Sequence, residues 1–508
     1  MKKTKWIRIF KKLHRWPAVI IAFIATLFAV SGIVMNHRNT FSSIDISRKL
    51  LPKNYAYNNW NLAAVRSSLP FQDGNLVYGN IGIWKTDEGF DYFEDFNLGF
   101  PKGIDNRKIY AVKNLNDKLF AGTHLGLYSR KIENGQWKQI VLDDENQRIS
   151  DLTLKDDTLL VLTRNYLFKS TNGVTFQKVQ LPAPIGYEHK TGLFDTFWQL
   201  HSGELFGLAG KLIVDLLGIV TILLSATGVL HFFFPGIIKR RKKKDKVVIG
   251  YISVKKQNLH WHNVLGYIFA IFLIINTFAG IHLRPPLLIA IATKQVGIIP
   301  GTHLDQPNPW FDKLRRVAWD DIQNRYLFST SEGFFWADKQ FKHSPEPALS
   351  QPPVSVMGCN VLEQMDDHRF LVGSFSGLFV WDTQSGMVAD YFTGKPYQAP
   401  SGMARPIGNQ MVAGMIVDKN KAWWFDYNQG VVPLTGITFP DMPKNVRKAS
   451  PMSLWNVSQE IHTGRIFENI LGPFYILIVP LAGICLLMVL ITGFFVWWWV
   501  YRKNKKQA

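Results

Sequence analysis

The sequence holds 13 histidines, and their placement is its most chemical feature. Eight of them, His14, His37, His201, His231, His260, His262, His282 and His462, fall at the ends of long apolar stretches. The other five, His124, His189, His303, His343 and His368, are scattered through mixed segments, where surface positions explain them. A single histidine at a membrane interface needs no special account, because the residue is tolerated there. Eight of them, four near each end of the apolar stretches, form a pattern, since ionisable groups near a bilayer are costly and usually mark function. Neutral imidazole is a good iron ligand, and facing helices hold haem through axial histidines. Arg15, Arg38 and Arg284 stand beside these histidines. A guanidinium there can pair with a haem propionate, or serve only as an interfacial anchor.

The remaining composition narrows the chemistry. Cys359 lies in a polar segment and Cys485 inside an apolar one, so the two cysteines are not a pair. The chain has no CxxC zinc site and no CxxCH for covalent haem, so a metal must be held by histidine or carboxylate, or within a non-covalent cofactor. No glycine-rich nucleotide motif follows a strand in the short polar segments, which argues against a built-in flavin or NAD(P)H site. An electron donor would therefore be a separate molecule.

Four apolar stretches must position the histidines: Pro17 to Met35, about Leu208 to Phe234 ending at Pro235-Gly236, roughly Val264 to Leu283, and roughly Ile470 to Val500. Each has about 20 or more residues, enough to cross a bilayer. The net charge of +20 sits mostly beside them, in Lys2 to Lys12, Lys239 to Lys246 and Arg502 to Lys506. Such flanks orient membrane helices by keeping positive charge in the cytoplasm, and they argue against a nucleic-acid partner. A cleaved signal peptide is the alternative for the first stretch, but its core is long and no A-x-A site follows. The reading is a multi-pass protein of a bacterial inner membrane with both termini cytoplasmic. Its expected divisions are 1–37 (first span), 38–199 (first periplasmic β-repeat domain), 200–236 (second span) and 237–259 (basic cytoplasmic loop). They continue as 260–284 (third span), 285–459 (second periplasmic β-repeat domain) and 460–508 (fourth span and basic tail).

The chain is internally duplicated. Leu13-His14-Arg15-Trp16 opens the first span, and Leu259-His260-Trp261-His262 opens the third. Aligning Ser31-Gly32 with Ala279-Gly280 places His14 over His262. The pattern H-[ST]-G-x-[IL]-F precedes the second span at His201 and the fourth at His462, and Thr227-Gly228 and Thr492-Gly493 recur late in those spans. Small residues at such points let backbones approach closely or leave room for a flat group. The repeat preserves His201 with His462 and His14 with His262, which makes these four the expected haem-iron ligands. His37 and His282 occupy similar ends out of strict register, and His231 has no counterpart in the second half. His14 and His37 stand 23 residues apart, roughly 35 Å along one helix, a long gap between two haems.

The polar segments repeat as well. Lys118-Leu-Phe-Ala-Gly122 through Tyr128 resembles Arg369-Phe-Leu-Val-Gly373 through Phe379, with looser versions from Leu159 and from Tyr326. Strand, glycine turn, strand and a second turn is a β-meander signature, and its recurrence suggests propeller blades. About three fall in each outer segment. Since few propellers have only three blades, the two segments together are expected to close one propeller of about six blades, with two separate small β-domains as the alternative. The expected fold is thus an integral-membrane four-helix bundle, built from a duplicated two-helix unit, with all-β periplasmic domains.

The span motifs quoted above resemble the PepSY-associated transmembrane family, which includes iron-regulated inner-membrane proteins and ferric-siderophore reductases. The resemblance covers the spans and their margins, about a third of the chain. It implies b-type haem, two per chain in this reading, held by His14, His201, His262 and His462, with His37, His231 and His282 as further candidates. It also implies oxidoreductase activity, passing electrons from a cytoplasmic reductase or quinol to a periplasmic ferric siderophore or other acceptor. The chain departs from the family pattern in its outer segments, where no PepSY-type segment is visible and blade-like repeats stand instead. A non-enzymatic, membrane-anchored β-propeller that binds or senses a ligand is the competing reading. A metal transporter is weaker still, since Asp215 is the one acidic residue within the spans.

Overall fold

The computed structural model describes residues 3–133, 135–355, 358–365, 367–398 and 408–502. The chain divides into two compact units. The first contains Met1–Phe41, His189–Asp305 and Leu454–Ala508, and the second Ser42–Glu188 and Gln306–Ser453. The helices in chain order are α1 (Lys3–Asn36), α2 (Arg38–Phe41), α3 (Leu193–Ser202), α4 (Gly207–Lys242) and α5 (Ile249–Ile281). They continue as α6 (Lys444–Lys448), α7 (Leu454–His462), α8 (Glu468–Leu471) and α9 (Ile478–Val496), of which only α6 belongs to the second unit.

The first unit is the helical one. Among the described residues four stretches are long and apolar enough to span a bilayer: Thr4–Asn36, Glu204–Lys242, Ile249–Ile281 and Arg465–Tyr501. At about 1.5 Å per residue each exceeds the roughly 30 Å of hydrocarbon. Helix α1 packs against α4 and α9, and α5 packs against the same two, so the four spans close a ring. Their outer faces carry exposed Ile20, Phe23, Leu212, Ile271, Phe272 and Leu481, which meet lipid. The short helices cross over between the halves: α3, which precedes α4, lies on α5, while α7, which precedes α9, lies on α1.

Two helix ends stand apart from the span ends read in the sequence. The helix does not stop at Pro235, since α4 runs through it to Lys242. A proline frees only the carbonyl four residues back, that of His231, and a helix end at the membrane edge tolerates that loss. The fourth span is interrupted: α8 passes into a 3-10 turn (Gly472–Leu477) before α9, and a π-helical turn (Trp497–Tyr501) follows. Gly472, at φ 55, is the break between α8 and the next turn.

The second unit is all β apart from α6 and short turns. Six antiparallel meander sheets follow one another, led by Ser67–Phe71, Ile109–Leu115, Ile149–Lys155, Leu314–Asp320, Cys359–Gln364 and Val412–Asp418. The first five have four strands and the sixth has three. Each leading strand touches the leading strands of the sheets before and after it, and Val412–Asp418 touches Ser67–Phe71. Each such neighbouring pair shares an apolar core. Leu76 and Ile83 meet Ile109 and Val112, for example, and Phe425 and Ile416 meet Trp60 and Val77. Second strands such as Leu159–Leu162 and Phe370–Val372 are buried on both faces, which is why they read as continuous apolar runs.

The ends of this unit are tied together. Leu62 N–H donates to the Tyr427 carbonyl at 2.7 Å, Met415 N–H to that of Arg66 at 2.9 Å, and Val431 N–H to that of Asn59 at 2.8 Å. Gly414 is required there, since a Cβ would lie 2.4 Å from the Arg66 carbonyl oxygen. Five leading strands carry a β-bulge at the same place, their second residue: Tyr110, Ser150, Arg315, Asn360 and Ala413. Such bulges re-aim side chains and recur near binding sites.

Candidate functional site

The H-[ST]-G motif has a local explanation. His201 is next to last in α3 and His462 is last in α7, and two residues beyond each stands a left-handed glycine, Gly203 at φ 81 and Gly464 at φ 75. Only glycine adopts that conformation without strain, and it turns the chain sharply into the following span. The histidine is thereby fixed on the last turn of a short helix that lies against the other half of the bundle.

At the level that the charge pattern puts on the outer side, the rings of His201 and His462 face each other with centroids 5.8 Å apart. His201 Nδ1–H donates to the Asn276 carbonyl on α5 at 3.0 Å, and the Asn276 amide donates back to the His201 carbonyl at 2.8 Å. His462 Nδ1 lies 3.0 Å from the Phe28 carbonyl and 3.1 Å from Ser31 Oγ, both on α1. The inner level repeats the arrangement. His14 and His262 have centroids 6.1 Å apart. His14 Nδ1–H donates to the Val489 carbonyl on α9 at 2.9 Å, and His262 Nδ1–H to Thr227 Oγ1 on α4 at 2.9 Å. Thr227 can accept because its own proton goes to the Leu223 carbonyl at 2.6 Å.

The repeated glycines are where these rings lie. A Cβ on Gly280 would come within 2.6 Å of the His201 ring, and one on Gly493 within 2.7 Å of His14. Gly32 and Gly228 face His462 and His262 more loosely, at 3.3 and 3.4 Å. The flat group that the small residues admit is therefore the imidazole itself.

Chemically, each Nδ1–H is spent on a fixed acceptor, which sets the tautomer and leaves the Nε2 lone pair unused. Among the described residues none of the four Nε2 atoms makes a hydrogen bond. Two imidazole nitrogens each roughly 2 Å from one metal place their ring centres roughly 6 Å apart, which both pairs match. Among the described residues no group of three or more histidine, cysteine or acidic ligands could hold a bare ion. A two-imidazole set instead suits iron whose other four ligands come from a porphyrin. Two orphaned polar atoms accompany the pairs. Arg284 Nε, on a residue within electrostatic reach of His462, and His231 Nδ1, on one within reach of His14, are buried without hydrogen-bond partners. The residues present therefore fit haem at both levels.

The other candidates are placed differently. His37 Nε2 meets Asp215 Oδ2 at 2.6 Å, and Asn36 donates to Asp215 Oδ1 at 3.1 Å, so the His37 ring is held by Asp215 and stands in neither imidazole pair. His282 Nδ1–H donates to Phe278 within its own chain turn, at 2.8 Å, and packs on Phe197. His260 stacks edge-on to Trp261. Arg15 lies over Phe232 at 4.7 Å, and Arg38 over Trp455 at 3.8 Å, cation–π contacts of an interfacial kind. Asp215 was visible in the sequence as an acid within a span, but nothing in spacing pointed from it to His37. The carbonyls of Phe28, Asn276 and Val489 leave no mark in the sequence, because any residue type supplies one.

The fold and site define a membrane protein of four spans with two imidazole pairs, attached to an all-β unit. The family model for the PepSY-associated TM region matches residues 1–234 and 236–500, and the chain belongs to that family. No curated protein matches it. Among solved structures it is similar to the extracellular domain assigned to a hybrid two component system from B. thetaiotaomicron, at 10% identity and TM-score 0.37, over 72% of this chain and 32% of that one. It is also similar to the computationally designed Ika8 protein, at 9% identity and TM-score 0.30, over 74% and 98% of the two chains. The N-terminal domain of Nup159 matches at 9% identity and TM-score 0.31, over 72% and 73%. Likenesses this weak carry no argument about fold, ligand or activity.

Proposed function

We propose that this protein is a haem-containing electron-transfer protein of a bacterial inner membrane, holding one haem b between His14 and His262 and another between His201 and His462. A haem at each level supplies one-electron chemistry. The protein's own part is to fix four imidazole tautomers through Phe28, Asn276, Val489 and Thr227, to exclude water within the bundle, and to offer Arg284 to a carboxylate. The observation that carries the reading is the two facing imidazole pairs, at 6.1 and 5.8 Å, with Nδ1 spent and Nε2 free. The levels also lie closer than His14 to His37 implied. The Phe28 and Asn276 carbonyls that receive the outer histidines are fourteen residues from His14 and His262, about 21 Å along α1 and α5.

In this reading the basic flanks place both termini and the Lys239–Lys246 loop in the cytoplasm, and the β unit lies in the periplasm. A cytoplasmic reductase or quinol supplies electrons, and a ferric siderophore or other periplasmic chelate accepts them. The six sheets are read as blades of one propeller. What supports this is the cyclic order of contacts between leading strands and the hydrogen bonds joining Asn59–Arg66 to the sixth sheet. An absorption spectrum of the detergent-purified protein tests the reading. Bis-histidine haem gives a sharp Soret band and reduced α-band features; a colourless, fully folded preparation from haem-replete cells contradicts it.

A further inference from the structure

The β unit holds a group of cations that the electron-transfer reading does not use. Arg66 stands just before the first leading strand, Arg148 just before the third, and Arg316 near the start of the fourth. The three converge on two bulged residues. Tyr110 carries the Arg66 guanidinium over its ring at 4.6 Å and that of Arg148 at 5.5 Å. Asn360 accepts Arg66 Nη1 on its side-chain oxygen at 3.2 Å and Arg316 Nη1 on its main-chain oxygen at 2.9 Å. Neutral residues thus join three like charges.

Compensation reaches the other two more than Arg66, since Asp312 acts on Arg148 and Asp151 on Arg316. Asp151 pairs with Arg316 Nε at 2.9 Å, but the same carboxylate also accepts Val317 N–H at 3.0 Å and Leu152 N–H at 2.9 Å. Its charge is shared out before it reaches Arg66. Glu363, which also acts on Arg316, is exposed to solvent. Arg66 Nε is buried with no hydrogen-bond partner. Burial first, with Arg316 and Arg148 adding to it, lowers the pKa of Arg66 against the opposing pull of Tyr110 and Tyr78. Buried like charges held together by neutral residues are unfavourable unless a counter-anion joins them. The guanidinium fork is suited to the paired oxygens of a carboxylate or phosphate. All three arginines keep partial solvent exposure, so a ligand can reach them. Bulges at Tyr110, Arg315 and Asn360, with the same register shift in two further sheets, turn this end of the leading strands into a repeated, deliberately re-aimed surface.

We propose that the N-terminal ends of the leading strands form an oxyanion-binding site, in which Arg66, Arg148 and Arg316, spaced by Tyr110 and Asn360, receive a small carboxylate or phosphate ligand. The site stands on the β unit alone and goes beyond the haem reading. An anionic ferric chelate would meet its chemistry, and so would a free organic acid or phosphate.

Thermal unfolding of the full-length protein in detergent tests it, with citrate, inorganic phosphate, and sodium chloride at matched ionic strength. A ligand that binds only the folded state raises the midpoint in a saturable way. Citrate or phosphate is expected to do so where chloride does not, and whichever acts more strongly identifies the ligand as carboxylate or phosphate. Arg66→Gln is expected to weaken that ligand at least about tenfold, while Arg66→Lys retains part of the binding. If Arg66→Gln does not fold, Arg148→Gln serves in its place. The proposal is overturned if neither anion exceeds chloride, or if the shift survives unchanged in the Gln variants.

Discussion

Replacing Gly280 by alanine separates two effects that usually act together. Gly280 is next to last in α5, so the advantage of about 1 kcal/mol that alanine has over glycine in a helix interior is an upper bound there. At this position, however, the new Cβ would lie 2.6 Å from His201 Cε1 and 2.9 Å from Nδ1. Carbon atoms in ordinary contact stand about 3.5–4.0 Å apart, so the ring must retreat by about 1 Å. That movement strains the core by about 1–3 kcal/mol and weakens the bond from Nδ1–H to the Asn276 carbonyl, worth about 0.5–1.5 kcal/mol. Gly280→Ala is therefore net destabilising by about 1–3 kcal/mol and displaces one member of the outer pair. Gly32 faces the other member, His462, at 3.3 Å, where a few tenths of an ångström suffice. Gly32→Ala should then be close to neutral, since the helix gain offsets the small strain. The assay is haem content per chain together with the thermal midpoint for both variants. Equal behaviour of Gly280→Ala and Gly32→Ala would refute the reasoning, because the geometry sets them apart.

Other consequences follow from the same coordinates. Gly493→Ala should disturb the inner pair more than Gly228→Ala, given approaches of 2.7 and 3.4 Å, read as selective loss of the inner haem. Asp215→Asn removes the carboxylate oxygen that meets His37 and should cost about 1–3 kcal/mol of thermal stability while leaving haem content intact; loss of haem would mean that His37 is part of a ligand set. Gly203→Ala should lower the midpoint more than Gly464→Ala. Both force left-handed strain of about 1–2 kcal/mol, but only the former drives a Cβ to 2.2 Å from a backbone oxygen. Gly414→Ala should loosen the junction of the first and sixth sheets, seen as faster amide exchange at Leu62, Met415 and Val431; protection equal to wild type would argue against closure there.

The sequence showed most where a physical need has only one chemical answer. Gly203 and Gly464 are legible because a left-handed cap admits little else, and they locate His201 and His462 on the last turns of short helices. Duplication then singled out His14 and His262. The β hairpins were legible for a similar reason, since the Gly122–Gly126 and Gly373–Gly377 repeats lie on paired second and third strands. Less was visible where a backbone atom does the work. Nothing in the types of Phe28, Asn276 or Val489 announces their carbonyls as imidazole acceptors. The crossing of α3 onto α5 and of α7 onto α1 was equally hidden, because it is a choice of partner between similar apolar faces. His37 ends a span as the paired histidines do, yet its ring meets the Asp215 carboxylate, a partner that position alone does not announce. The first and sixth sheets lack the clearer repeat, and the positive-φ residues Asn59, Trp60, Leu62 and Ala63 obscure the segment that joins them.

The central claim is that two imidazole pairs hold two haems, and haem counting in three proteins tests it most directly. Haem per chain is measured by pyridine haemochrome in the wild type, in His14→Ala and in His201→Ala, each shown to be folded by circular dichroism. The account predicts two haems in the wild type and one in each variant, with different residual spectra because different levels survive. Undiminished haem in both folded variants, or no haem in the wild type, would contradict it.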